Sequence, residues 1–237
     1  MFDTTPTIPY QTIAFERGIS VSIKRLDLVH PRIAGNKFFK LKYNFLAAQA
    51  QGKSHILSFG GAYSNHIHAL AHAAHEYGFG STGIIRGEEL ATQPLNPSLQ
   101  EAAAMGMHLQ FVSRPDYRRK HTADFLQALQ QQFPHAYIVP EGGSNALAVQ
   151  GCAEILSLSD PQQFDTVCVA VGTGGTIAGI ANASADTQNI LGFAALKGDF
   201  LSADIRQWTG KNNWQVLEDS VFGGYGRYNA ELLDFVA

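Results

Sequence analysis

Three times in this chain a short apolar run ends in glycines and passes into a helical pattern. The runs cover residues 55–59, 136–139 and 167–171, and the turns are Gly60-Gly61, Gly142-Gly143 and Gly172 to Gly175. A strand followed by a helix and then another strand calls for a parallel sheet with right-handed crossovers. In such sheets ligands bind beyond the carboxyl ends of the strands, which is where these glycine turns lie. The pattern therefore predicts an α/β protein and says where its sites should be.

The remaining periodicity extends the alternation. Residues 19–24 alternate apolar and polar and read as a strand, and residues 37–51 read as a helix that Gly52 stops. Further strands are expected over 82–85, 109–112 and 190–196, with weaker ones at 214–216 and 221–222. Helices are expected over 64–77, from Asn96-Pro97 to 105, over 116–132 and over 145–158. Residues 229–237 read as the start of another helix. Cys168 lies in the run 167–171, which reads as a buried strand where a thiol acts as a small hydrophobe.

The turn Gly172-Thr173-Gly174-Gly175-Thr176 has the form of an anion cradle. Bare N–H groups and the positive end of the following helix point at one place, and two hydroxyls stand beside them. No lysine follows the glycines, so this is not a Walker loop. Ile177 stands where a dinucleotide fingerprint needs its third glycine. A compact phosphate monoester remains, beside the plainer reading of a tight turn. Lys37 opens a helix, the wrong end for a cation, and its amine would be more easily deprotonated there. That suits Schiff-base chemistry, although a lysine is more often just a solvated surface residue. Ser64 reads as an N-cap; Asn65 can offer an amide to a ligand, and His66 can meet a carboxylate. His68, His72 and His75 fall on one helix face, but no acidic ligand stands at matching spacing, so no metal is expected. Gly223-Gly224-Tyr225 could bring a phenol into a cleft.

Composition narrows the class. The chain has 237 residues, 45% hydrophobic and 16% charged, with a net charge of −3. That is enough for two domains and gives no basic field for nucleic acid or an anionic membrane. No apolar run approaches the roughly 20 residues of a spanning helix. With two cysteines outside any C-x-x-C pair and no secretory leader, a cytoplasmic protein is expected.

Taken together, the segments resemble one family. Residues Ala34-Gly35-Asn36-Lys37-Phe38-Phe39-Lys40-Leu41 are similar to the lysine motif of pyridoxal-phosphate enzymes of fold type II. The nearer branch is that of 1-aminocyclopropane-1-carboxylate deaminase and D-cysteine desulfhydrase. Gly60 to His66, Glu141 to Asn145, Gly172 to Thr176 and Gly223 to Tyr225 follow in the family's order. The resemblance implies a two-domain, tryptophan synthase β-like α/β fold of mostly parallel sheets with helices on both faces. The smaller domain would span 43–142, and the larger 1–42 plus 143–237. It also implies that Lys37 holds pyridoxal 5'-phosphate and moves protons. Asn65 would bond the cofactor's phenolic oxygen, and Gly172, Thr173, Gly174, Gly175 and Thr176 would hold its phosphate. Ser64, Asn65 and His66 would bind the substrate, with Ser64 and Tyr225 taking part in the chemistry. Glu141 to Asn145 would form a wall of the site.

The implied activity is that of a lyase or hydrolase that releases ammonia and a 2-oxo acid from a small amino acid. The substrate would be D-cysteine or an aminocyclopropane carboxylate, and the enzyme a homodimer. Family members run several tens of residues past the position of Tyr225, so the larger domain is expected to be shortened. Glu231 is then a candidate partner for the pyridine nitrogen. The alternatives are a non-catalytic member that keeps the fold, and an unrelated phosphate-ligand enzyme in which Lys37 has no role.

Overall fold

The computed structural model describes residues 2, 6–14, 18–33, 35–157, 160–195, 200–218 and 229–236. They divide into two compact units, Met1–Gly143 and Ser144–Ala237. Residues 1–42, which the sequence reading gave to the larger domain, group with the first unit.

The first unit opens with an antiparallel pair, β1 (Tyr10–Ala14) and β2 (Ser20–Lys24). Helix α1 (Asn36–Ala50) follows, with Gly35 as its N-cap. Next come β3 (His55–Gly60), α2 (Asn65–Tyr77), β4 (Gly80–Arg86), α3 (Pro97–Ala104) and β5 (Met107–Val112). Then α4 (Arg114–Arg118), α5 (Ala123–Gln132) and β6 (Ala136–Ile138) complete it. The expected single helix over 116–132 is two. The Thr122 N–H donates to Arg119 O at 2.7 Å, so a turn separates them.

Strands β5-β4-β3-β6 form one parallel sheet in that order. The period of two sends alternate side chains of β3 to opposite faces. Leu57 and Phe59 join Ile84, Tyr117, Leu129 and Ala136 in a buried cluster, closed by Phe125, Leu126 and Phe133 of the α5 region. Ser58 points the other way and bonds to His66 of α2.

The second unit holds α6 (Ala146–Ala153), α7 (Asp160–Gln163), β7 (Thr166–Val171), α8 (Gly175–Ala183), β8 (Asn189–Ala194), α9 (Phe200–Arg206), β9 (Trp214–Leu217) and α10 (Ala230–Val236). Strands β7-β8-β9 are parallel and in sequence order. Among the described residues β7 lies at one end of its sheet, and Cys168 on it is exposed, which corrects the reading of a fully buried strand. The strand expected at 221–222 lies outside the described residues. No helix among the described residues is long and apolar enough to cross a membrane.

Helices α6 and α8 meet at Gly179. A Cβ there would come within 2.5 Å of Cys152 Cβ and 2.6 Å of Val149 O, so only glycine allows this approach. Glycine inside an exposed helix normally weakens it by about 0.5–1 kcal/mol relative to alanine. Here the sign should invert: Gly179→Ala should destabilise the protein by about 1–3 kcal/mol, the range of an overpacked core. Urea unfolding of the two proteins checks this.

Candidate active site

Lys37 is the second residue of α1, so its side chain leaves from the helix's first turn. It is half-buried. Lys40, one turn on, is 1% exposed and donates from Nζ to Gly142 O at 3.1 Å. Helix α2 begins beyond the end of β3, after Gly60-Gly61. A Cβ on Gly60 would stand 2.4 Å from Ile67 Cγ1 and 2.7 Å from Ser64 Oγ, which is why this tight strand-to-helix turn needs glycine. Ser64 caps α2, its Oγ accepting the Ile67 N–H at 3.3 Å. Asn65, at the first position of α2, is exposed, and His66 is 2% exposed.

The charges on Lys37 and Lys40 both reach His66. Burial first, and then these two lysines, push its imidazole well below the ordinary histidine range, so it is neutral. Its tautomer follows from its neighbours. Ser58 has one hydroxyl proton, which goes to Val139 O at 2.8 Å. The 2.8 Å contact between Ser58 Oγ and His66 Nε2 is therefore an Nε2–H donation, and Nδ1 is left as an acceptor. That Nδ1 is buried with no hydrogen-bond partner among the described residues. A Cβ on Gly143 would lie 3.4 Å from it.

Gly143 belongs to the turn Glu141–Gly143, which closes this corner. Gly142 and Gly143 have φ of 66° and 72°, a region glycine enters freely. Glu141 is held from the other side: Tyr117 donates its hydroxyl to Oε1 at 2.6 Å, and Lys120 lies 3.2 Å from Oε2. Burial and the Glu141 charge push the Tyr117 phenol far up, so it remains a donor. The first unit thus gathers Lys37, Ser64, Asn65, His66 and the Glu141–Gly143 turn. Ser58, Lys40 and Tyr117 were not singled out from sequence. A serine inside the apolar run 55–59, and a lysine one turn after Lys37, were the signals available.

In the second unit, the glycine turn expected as an anion cradle lies at the carboxyl end of β7 and opens α8. Gly174 is the N-cap of α8, with φ of 80° and no side-chain cap hydrogen bond. A helix N-terminus of this kind favours an anion. Beside it, Ser144 Oγ and Thr173 Oγ1 share a hydrogen bond of 2.5 Å. Thr176 is 6% exposed in the first turn of α8. Asn145 caps α6, accepting the Ala148 N–H at 2.9 Å. Tyr225 lies outside the described residues, and Glu231 is exposed on α10.

These features suit a cofactor that carries a phosphate and reacts with an amine. A glycine turn opens α8, and Lys37 stands at a helix start with its charge acting on His66, whose buried Nδ1 has no hydrogen-bond partner among the described residues. The sequence profile of the pyridoxal-phosphate dependent enzymes matches residues 2–204, and the chain belongs to that family. A Thermotoga maritima protein provisionally named 1-aminocyclopropane-1-carboxylate deaminase is 32% identical over 184 residues, 75% of this chain and 58% of that one. The Arabidopsis thaliana protein named bifunctional D-cysteine desulfhydrase/1-aminocyclopropane-1-carboxylate deaminase, mitochondrial, is 29% identical, over 75% of this chain and 48% of its own length. The crystal structure of a homologue of the aminocyclopropane carboxylate (ACC) deaminase covers 94% of this chain and 74% of its own, with a TM-score of 0.78 at 23% identity. The fold is accordingly the fold type II arrangement read from the motifs. The chain spans about half the length of the named relatives it matches.

A buried neutral histidine makes stability depend on pH. In the unfolded chain His66 takes a proton below about 6.5, while in the folded protein it does not. Its contribution is therefore full above that pH and is lost as pH falls below it. His66→Gln should flatten the acid limb of stability by about 1.4 kcal/mol per pH unit, seen in urea midpoints between neutral and mildly acidic buffer.

Proposed function

We propose that this chain is a pyridoxal-phosphate-dependent lyase or deaminase of a small amino acid, of the D-cysteine or aminocyclopropane carboxylate type. The observation that carries the reading is Lys37 at the first turn of α1, with its charge acting on His66 at the start of α2. The family's cofactor needs an amine and an anion cradle. Lys37 is the candidate for the amine, and Gly172, Thr173, Gly174, Gly175 and Thr176 are the candidates for the cradle. When bound, pyridoxal phosphate draws electrons from the bonds at the substrate's Cα.

The chain's own residues then have distinct tasks. Lys37 Nζ attaches the cofactor and carries a proton to or from the substrate carbon. Asn65, exposed at the first position of α2, bonds the cofactor's phenolic oxygen and takes part in holding the substrate carboxylate with Ser64. The two sit at a positive helix end that favours that anion. His66 acts behind them. With Nε2–H committed to Ser58, its Nδ1 accepts, so an N–H of the substrate suits it better than a carboxylate, which needs a donor. Thr173 and Thr176 add hydroxyls to the phosphate cradle. Ser64, with Tyr225, is the candidate for further proton transfer. Water enters only after the bond at Cα or Cβ has broken, so the class is lyase and not the hydrolase that ammonia release alone suggests.

The relatives carry enzyme names, which ranks catalysis ahead of a fold kept without activity. A cytoplasmic homodimer is part of the proposal; both cysteines, Cys152 and Cys168, are free thiols, in keeping with a reducing compartment.

The test is the visible spectrum of the protein mixed with pyridoxal phosphate. Wild type should show a cofactor–lysine band that Lys37→Ala lacks, and wild type alone should release ammonia from D-cysteine or 1-aminocyclopropane-1-carboxylate. Equal spectra in the two proteins would remove Lys37 from the site. A band without ammonia from either substrate would keep the cofactor and discard this substrate class.

A further inference from the structure

The histidine face of α2, set aside in the sequence for want of an acidic ligand, acquires one in the fold. Helix α3 lays Glu101 against it. His68 Nε2 stands 2.9 Å from Glu101 Oε2, and His72 Nε2 stands 3.0 Å from Oε1. All three ligand atoms lie within 4.8 Å of one another. We propose that His68, His72 and Glu101 form a binding site for a divalent cation of the Zn²⁺ class, joining α2 to α3. His75, the third histidine of the stripe, is exposed and takes no part.

The donor set fits that ion. Two imidazoles one turn apart and one carboxylate are three protein ligands, and water completes four-coordination. Nitrogen with a single carboxylate oxygen selects a borderline metal rather than Mg²⁺ or Ca²⁺, which prefer oxygen shells. His72 is 6% exposed, while His68 at 27% and Glu101 at 38% leave the open side to water. Zinc bonds of about 2.0–2.1 Å set neighbouring ligand atoms roughly 3.3 Å apart in a tetrahedron, a separation inside the 4.8 Å span of these ligand atoms.

One cation competes. Arg32 Nη1 lies 3.3 Å from Glu101 Oε1, but its side chain is 65% exposed, and a surface ion pair of this kind contributes little. An ion here would clamp the helix whose first turn presents Ser64 and Asn65. The binding claim itself is independent of the catalytic reading.

The experiment is equilibrium dialysis of the cofactor-loaded protein against Zn²⁺, with Co²⁺ as a spectroscopic substitute. The proteins are wild type, His68→Ala, Glu101→Gln and the remote control His135→Ala. These positions are at least partly exposed, and far-UV circular dichroism verifies that each variant folds. Wild type and His135→Ala should bind one equivalent and show the d–d bands of low-coordinate cobalt. His68→Ala and Glu101→Gln should each weaken zinc by about 100-fold or more, beyond the 10–100-fold that an outer partner costs. Absence of one-to-one binding in wild type, or equal affinity in Glu101→Gln, would overturn the proposal and leave the three side chains as a hydrogen-bonded bracket between helices.

Discussion

The first unit depends on one buried hydrogen bond, from His66 Nε2 to Ser58 Oγ. Ser58 stands in the middle of a central strand, and its proton goes on to the chain just after β6. Two sheet segments and the first turn of α2 are thereby held by a single hydroxyl. Leaving a buried partner of such a bond unsatisfied costs roughly 1–3 kcal/mol, so the geometry around it is strongly determined. The tautomer of His66, the position of the Glu141–Gly143 turn and the direction in which Ser64 and Asn65 face all follow. The site is built on regular elements, with glycines only where the backbone must come close.

Charge is managed just as tightly there. Two lysines one turn apart on α1 face a histidine that burial has already made a poor base. Lys40 gives its ammonium to a backbone carbonyl of the Glu141–Gly143 turn. Glu141 is in turn held by Tyr117 and Lys120. A chain of specific contacts therefore joins the helix that carries Lys37 to the far face of the sheet, where Tyr117 lies in the apolar cluster.

Much of this was legible because the local chemistry and the fold agree. Ser64, Asn96 and Asn145 each cap the helix they precede, accepting an N–H from the third residue on. The glycine turns lie at the ends of strands, as their spacing required. What escaped depended on contacts distant in sequence. Glu101 follows His72 by 29 residues, and no helical periodicity could relate them. The helix over 116–132 looked continuous because no glycine or proline marks the break at Arg119 to Thr122, although residues 118–122 are all polar. β1 is half of a pair whose partner begins after Gly18, and five mostly exposed residues offered no burial pattern. The run 167–171 looked buried because its residues are apolar, yet an edge position leaves part of it facing out. Sequence gives side-chain character; only the neighbouring strand decides which face is covered.

That edge strand gives the protein a natural attachment point. Cys168 is exposed, while Cys152 is fully buried beneath α8, so a maleimide dye would mark the second unit at a single atom. Partial desolvation raises the Cys168 thiol, so labelling should be selective but slow near neutral pH and faster in mild base. A fluorophore placed there would report on the unit that carries the glycine turn of α8.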